Sequence, residues 1–186
     1  MTEDELHRLY VSAISRRRRS KRSGEETELI YRVMAGTGLR SDELASILVV
    51  HVNLNRCEIL LKAGDEKAKR GARQPFKQSL GMKIADWMQK QNKQQKDFLF
   101  DFTPQKLLTS FEADYKHAGI ERCGDDGRTL DVHCLRRTYG TLMARAGVPL
   151  TTVQRLMRHS TPELTAKLYI DVEPIDIADA LKKLPD

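Results

Sequence analysis

The sequence has no run of roughly 20 apolar residues, the length a bilayer-crossing helix needs, and its longest uncharged stretches fall far short of one. Its start carries no charged, then apolar, then small-residue leader. Cysteine is scarce. Cys57, Cys123 and Cys134 are scattered, odd in number and include no CxxC pair, which argues against a disulfide framework and fits a reducing compartment. His133, Cys134 and His159 match no familiar zinc spacing, so inert, buried thiols are expected and no metal or other cofactor. Internal repeats and domain linkers are also missing. A soluble, cytoplasmic protein of one domain is the expectation, and 186 residues suffice for one core, since a domain of this size buries roughly 70% of its unfolded surface.

What is present is a concentrated positive charge. The formal net charge is +6, and Arg16, Arg17, Arg18, Arg19, Lys21 and Arg22 carry six positive charges between them. The rest of the chain is therefore close to neutral. Clustered Lys and Arg release counterions when they bind phosphates, so the run is a candidate DNA contact. Blocks of like charge also repel each other and stay in water, so a solvated loop is the equal alternative.

Apolar periodicity predicts a mainly α chain with a small antiparallel β-sheet, an α+β fold class. Thr2 and Glu5 form a capping box ahead of Leu6, Leu9, Tyr10 and Ala13. A second helix is expected across 26–35, broken by Gly36, Thr37 and Gly38, and Ser41 is expected to cap a short helix carrying Glu43, Leu44 and Ile47. Residues 47–52, 57–62 and 72–77 read as strands, with the polar Gly64–Gly71 stretch as a connecting turn. Helical patterns return at 80–91, 104–117, 133–146, 151–158, 162–169 and 175–184. In the helix at 162–169, Pro162 fits the first turn, and Leu164 and Leu168 are expected to anchor it.

Three local patterns carry chemistry. In Thr37-Gly38-Leu39-Arg40, the glycines turn the backbone and Arg40 projects at a helix start, with Glu43 one turn on to hold or orient a guanidinium. A fixed Arg fork suits two phosphate oxygens. In His133-Cys134-Leu135-Arg136, the i,i+3 spacing lets His133 and Arg136 address one ligand. The stripe of Leu135, Tyr139, Leu142 and Ala146 puts Arg136 at its border and Arg137 on the far side, as a phosphate contact or plain surface charge. Last, Arg158-His159 is followed ten positions on by Tyr169.

Together, Thr37-Gly38-Leu39-Arg40 with Glu43, His133-x-x-Arg136, His159 and a late Tyr169 resemble the catalytic domain of the tyrosine recombinase (phage integrase) family, a fold related to type IB topoisomerases. The similarity runs from the first helix to about residue 184. The His-to-Tyr interval of ten is long for the family, and residues 1–186 are expected to be the catalytic domain without the N-terminal core-binding domain that full recombinases carry.

The resemblance implies DNA strand cleavage and rejoining through a 3′-phosphotyrosine on Tyr169, without metal or ATP. Arg40, Arg136 and His159 would bind the scissile phosphate, His133 would act as base, and Glu43 would orient Arg40 or His133. A hairpin lysine, Lys67 or its neighbour Lys69, would protonate the leaving oxygen. The implied partners are double-stranded DNA and, in the synaptic complex, three further copies, a tetramer formed from chains that are monomeric when free. The protein would then be nucleoid-associated when bound. The amphipathic segment 174–184 would dock on a neighbouring protomer or on its own core.

One rival reading uses Met143–Val148 and Thr151–Met157, which look like a helix-turn-helix of a DNA-binding regulator without catalysis. It leaves Arg40, His133, Arg136, His159 and Tyr169 unexplained. A resolvase- or topoisomerase-like enzyme would share the same reactive residues.

Overall fold

The computed structural model describes residues 1–17, 22–62, 71–121 and 130–170. It divides into two compact units, residues 1–139 and 140–186. In the first unit, α1 (Glu3–Ser15) starts at the expected capping box: Thr2 Oγ1 accepts from the Glu5 N–H at 3.1 Å, and Glu5 Oε2 accepts from the Thr2 N–H at 2.7 Å. Such a cap stabilises by about 1 kcal/mol. Helix α2 (Gly24–Thr37) is longer than its apolar pattern suggests. Ser23 caps it upstream of Glu26, and Gly36 and Thr37 stay helical until Gly38 turns left-handed.

Residues 47–52 do not form the expected strand. After α3 (Ser41–Ala45), Leu48 bridges to Phe98, and the N–H groups of Val49 and Val50 donate to the carbonyls of Asp97 and Gln95. Val49–His51 then closes as a 3-10 turn, its His51 Nδ1 accepting from the Leu48 N–H at 3.1 Å. Backbone partners in the 95–99 segment thus replace the sheet ladder, and pairing is left to β1 (Val52–Asn53). The sheet itself is a three-stranded antiparallel meander of β1, β2 (Glu58–Leu61) and β3 (Ala72–Pro75), with Ile59 opposite Gln74. Ile59 and Leu61 point into the core, while Leu60 faces out.

Helices α4 (Gln78–Lys90) and α5 (Pro104–His117) complete the scaffold, the latter beginning with Pro104 behind a Thr103 cap. Tyr31 meets Phe111 edge-on at 5.6 Å in a core that includes Leu9, Ile30, Val33, Leu39, Leu44, Ile84 and Leu107. Each such side chain contributes roughly 1.5–3 kcal/mol on burial. Helix α6 (His133–Arg145) begins in the first unit and ends in the second.

The second unit adds α7 (Leu150–Met157) and α8 (Pro162–Ile170), which pack on each other. Thr165 and Leu168 are buried on α8, whereas Leu164 is 48% exposed. The buried face is therefore centred on the i,i+3 pair 165/168, and Leu164 is not the anchor its i,i+4 spacing suggests. Among the described residues no helix is long and apolar enough to cross a membrane. The segment 174–184 lies outside the described residues.

Candidate active site

The turn that ends α2 builds the first cluster. Gly38 has φ 66°, and a Cβ there would lie 2.6 Å from the Tyr139 ring. Glycine alone suits both the conformation and the space. Beyond it, Leu39 is fully buried and the chain presents Arg40 at the start of α3. Arg40, not Ser41, takes the N-cap position, because its backbone N–H is the group that Glu43 satisfies. Glu43 is buried and grips Arg40 twice. Its Oε2 accepts from the backbone N–H at 2.8 Å, and its Oε1 accepts from the guanidinium Nη1 at 2.7 Å. This charge-assisted bond fixes a guanidinium whose side chain remains 27% exposed.

Arg136 approaches the same turn from α6. It is sealed from solvent and donates through Nη1 to the Gly38 carbonyl. Its neighbour Arg137 is half-buried and sits 3.9 Å from Asp131. His133, at the first position of α6, is an exposed residue. Neighbouring protein atoms still desolvate its imidazole in part and lower its pKa from 6.5. Arg136, Arg137 and Arg40 push in the same direction, and Asp131 opposes them. The imidazole is therefore neutral at pH 7 and lies within the field of all three arginines.

The second unit holds the other two candidates. Arg158 ends α7 in a left-handed conformation, φ 50° and ψ 43°, which turns the chain into His159. The His159 N–H donates to the Gln154 carbonyl at 3.1 Å, and its Nδ1 lies 2.8 Å from the hydroxyl of buried Thr165. Tyr169 follows Leu168 on α8, and its hydroxyl donates to the Val148 carbonyl. Partial burial raises its pKa above 10. Gly140 permits this arrangement, since a Cβ there would lie 2.4 Å from Leu168 Cδ1 and 3.2 Å from Met157 Cε.

The family model described as the phage integrase family matches residues 1–174. The chain belongs to that family. Tyrosine recombinase XerA of Saccharolobus solfataricus is 28% identical over 150 residues, covering 77% of this chain and 46% of that protein. This chain thus spans about half the length of that relative. The catalytic domain of bacteriophage HP1 integrase superimposes with a TM-score of 0.71 at 22% identity, covering 100% of this chain and 94% of the other. XerH site-specific recombinase, solved with a palindromic difH substrate after cleavage, gives a TM-score of 0.73 at 18% identity over 98% of this chain and 52% of its own. The fold is that of a tyrosine recombinase catalytic domain.

Within this integrase fold the arginine run divides. Arg16 donates through Nε to the buried carboxylate of Asp114 at 2.6 Å, and the Asp114 backbone carbonyl accepts from Ser12 Oγ at 2.7 Å. Arg22 is buried with its guanidinium 5.8 Å from the Phe102 ring. Both ends of the run are thus engaged by the protein itself, and Arg17 is exposed. Arg18, Arg19 and Lys21 lie outside the described residues, as do Lys67, Lys69 and Cys123. Of the other thiols, Cys134 is buried, with its pKa pushed up to about 12 by desolvation, while Cys57 is only half-buried. Sequence reasoning missed Asp114, Thr165 and Gly140. The last had a visible signal, a glycine inside a helical pattern. The other two look like ordinary polar helix residues until the fold buries them.

Proposed function

We propose that this chain is the strand-cleaving and strand-rejoining domain of a site-specific DNA recombinase, acting through a 3′-phosphotyrosine on Tyr169. The observation that carries this reading is the arginine pair. Arg40 is held by buried Glu43 and Arg136 is sealed beneath the Gly38 carbonyl, so two guanidinium groups are fixed at one turn. Donors set in advance lower the barrier where charge develops on phosphate oxygens. Family membership supports assigning them that substrate.

In the proposed step the Tyr169 oxygen attacks phosphorus and the bond to the 5′ oxygen breaks. A tyrosine hydroxyl is a weak nucleophile near its free pKa of about 10, and burial raises that of Tyr169. Neutral His133 is the base that takes its proton. A lysine of the segment between β2 and β3, Lys67 or Lys69, gives a proton to the departing 5′ oxygen. Arg40, Arg136 and His159 bind the non-bridging oxygens. The ester energy stays in the phosphotyrosine, so attack by a 5′ hydroxyl reseals the strand without ATP. Before attack, the Tyr169 hydroxyl must leave the Val148 carbonyl. Exposed Arg17 is a candidate backbone contact in a cytoplasmic, DNA-bound tetramer.

The test is a nicked suicide duplex incubated with the wild-type chain and with Tyr169→Phe, resolved on denaturing gels. A covalent protein–DNA band is expected from the wild type and none from the variant. A band that survives in Tyr169→Phe would assign the nucleophile elsewhere.

A further inference from the structure

We propose that Thr165 is a positioning residue that keeps the proton of His159 on Nε2. The inference rests on reading His159 as a donor to the scissile phosphate, and it adds a residue that the spacing of the reactive groups does not reveal. Thr165 is sealed from solvent on α8, and its hydroxyl oxygen lies 2.8 Å from His159 Nδ1. The histidine is also fixed from its other side. Arg158 adopts φ 50°, a conformation that L residues rarely take, and the His159 N–H is tied to the Gln154 carbonyl. The backbone therefore fixes where the ring begins, and Thr165 fixes one of its two nitrogens.

Which nitrogen carries the proton then follows from the chemistry of the two partners. A neutral imidazole has one N–H and one lone pair, and a threonine hydroxyl can either give or take a hydrogen bond. If Nδ1 held the proton, Thr165 would accept and Nε2 would present a lone pair. Phosphate oxygens only accept, so a neutral His159 of that form would repel the substrate it is meant to bind. With Thr165 donating into the Nδ1 lone pair, Nε2 carries the N–H. The hydroxyl is sealed from bulk water. The Nε2–H tautomer is the form in which both His159 nitrogens meet complementary partners, a hydroxyl proton at Nδ1 and a phosphate oxygen at Nε2.

Three chains test this: wild type, Thr165→Val and Thr165→Ser. Each is labelled with ¹⁵N-histidine, and the His159 ring signals are assigned by their loss in His159→Asn. At neutral pH the wild type and the serine variant should show the Nε2–H tautomer, and the isosteric valine variant a mixture of both. In single-turnover cleavage of the suicide duplex, valine should slow formation of the covalent complex roughly tenfold, a fraction of the hundred- to thousandfold that a whole transition-state donor contributes, and serine should restore it. A wild-type His159 protonated on Nδ1 overturns the proposal, and so does a valine variant with an unchanged tautomer and rate. If valine prevents folding, the wild-type and serine spectra still decide. Absence of covalent product from the wild type would instead remove the recombinase reading, while the spectra separately report what Thr165 does to the ring.

Discussion

Arg136 is sealed from solvent and Arg40 is gripped by a buried carboxylate, whereas Tyr169 sits half-buried on a helix of 9 residues, its hydroxyl on the Val148 carbonyl. The first cluster is built on α2, a helix of 14 residues, and on a glycine turn that admits no other side chain. The second hangs on two short helices and a left-handed arginine. The difference matches the tasks proposed for them. Groups that stabilise developing charge gain most when nothing has to reorganise as the reaction proceeds. A nucleophile has to travel, so it gains from a support that can yield. Stability and reactivity should therefore respond differently to damage in the two regions.

The largest effect is expected in the first. Arg136→Ala removes a buried cation and leaves the Gly38 carbonyl without that donor. An unsatisfied buried acceptor costs about 1–3 kcal/mol, so the chemical-denaturation midpoint should fall. Cleavage of the suicide duplex should fall further, on the order of 10²- to 10³-fold, the usual loss for one transition-state donor. Undiminished cleavage in a destabilised variant would reduce Arg136 to a structural residue.

Gly140→Ala probes the second region and should split the two readouts. Alanine favours an open helix by about 1 kcal/mol over glycine, but its Cβ would lie 2.4 Å from Leu168 Cδ1. Overpacking typically costs 1–3 kcal/mol. The Met157 methyl can swing aside, while Leu168 is buried and must either turn its side chain against packed neighbours or shift with α8. The net stability change should therefore stay within about 1–2 kcal/mol. Leu168 adjoins Tyr169, so cleavage should drop roughly tenfold, a fraction of what a full 1 Å misplacement can cost. A variant that is stabilised and fully active would show that the close approach does not position the nucleophile.

These two sites also mark what the sequence revealed and what it hid. Helical periodicity placed α5 at 104–117, and the same logic put Arg136 near the apolar face of α6 and Arg137 away from it. Periodicity works there because each helix buries a continuous stripe. It failed at 47–52, where β-branched residues spend their hydrogen bonds on the 95–99 segment, a partner almost fifty positions away that no local pattern encodes. It also made Leu164 an anchor, although the fold buries Thr165 instead. The glycine turn with Arg40 and Glu43 was legible because its parts lie within six residues. Asp114 was not, since its role depends on α1, α2 and α5 meeting.

The smallest predicted effect is the most diagnostic of the first cluster's electrostatics. Burial and the three arginines lower the His133 pKa below 6.5. As the base, His133 works when neutral, so the acid limb of the cleavage rate should lie below 6.5 and the rate should be level around pH 7. The same shift enters stability with a fixed sign. Because the folded pKa is lower than the unfolded one, the contribution is complete above about pH 6.5 and is lost as pH falls through the folded value. Asp131→Asn isolates the electrostatic part. Asp131 Oδ1 accepts from the Cys134 N–H at 3.1 Å, a bond an asparagine oxygen can keep, while the charge that raises the His133 pKa disappears. The acid limb should then move to still lower pH, with the plateau rate little changed. A limb that moves upward would mean that the titrating base is not His133.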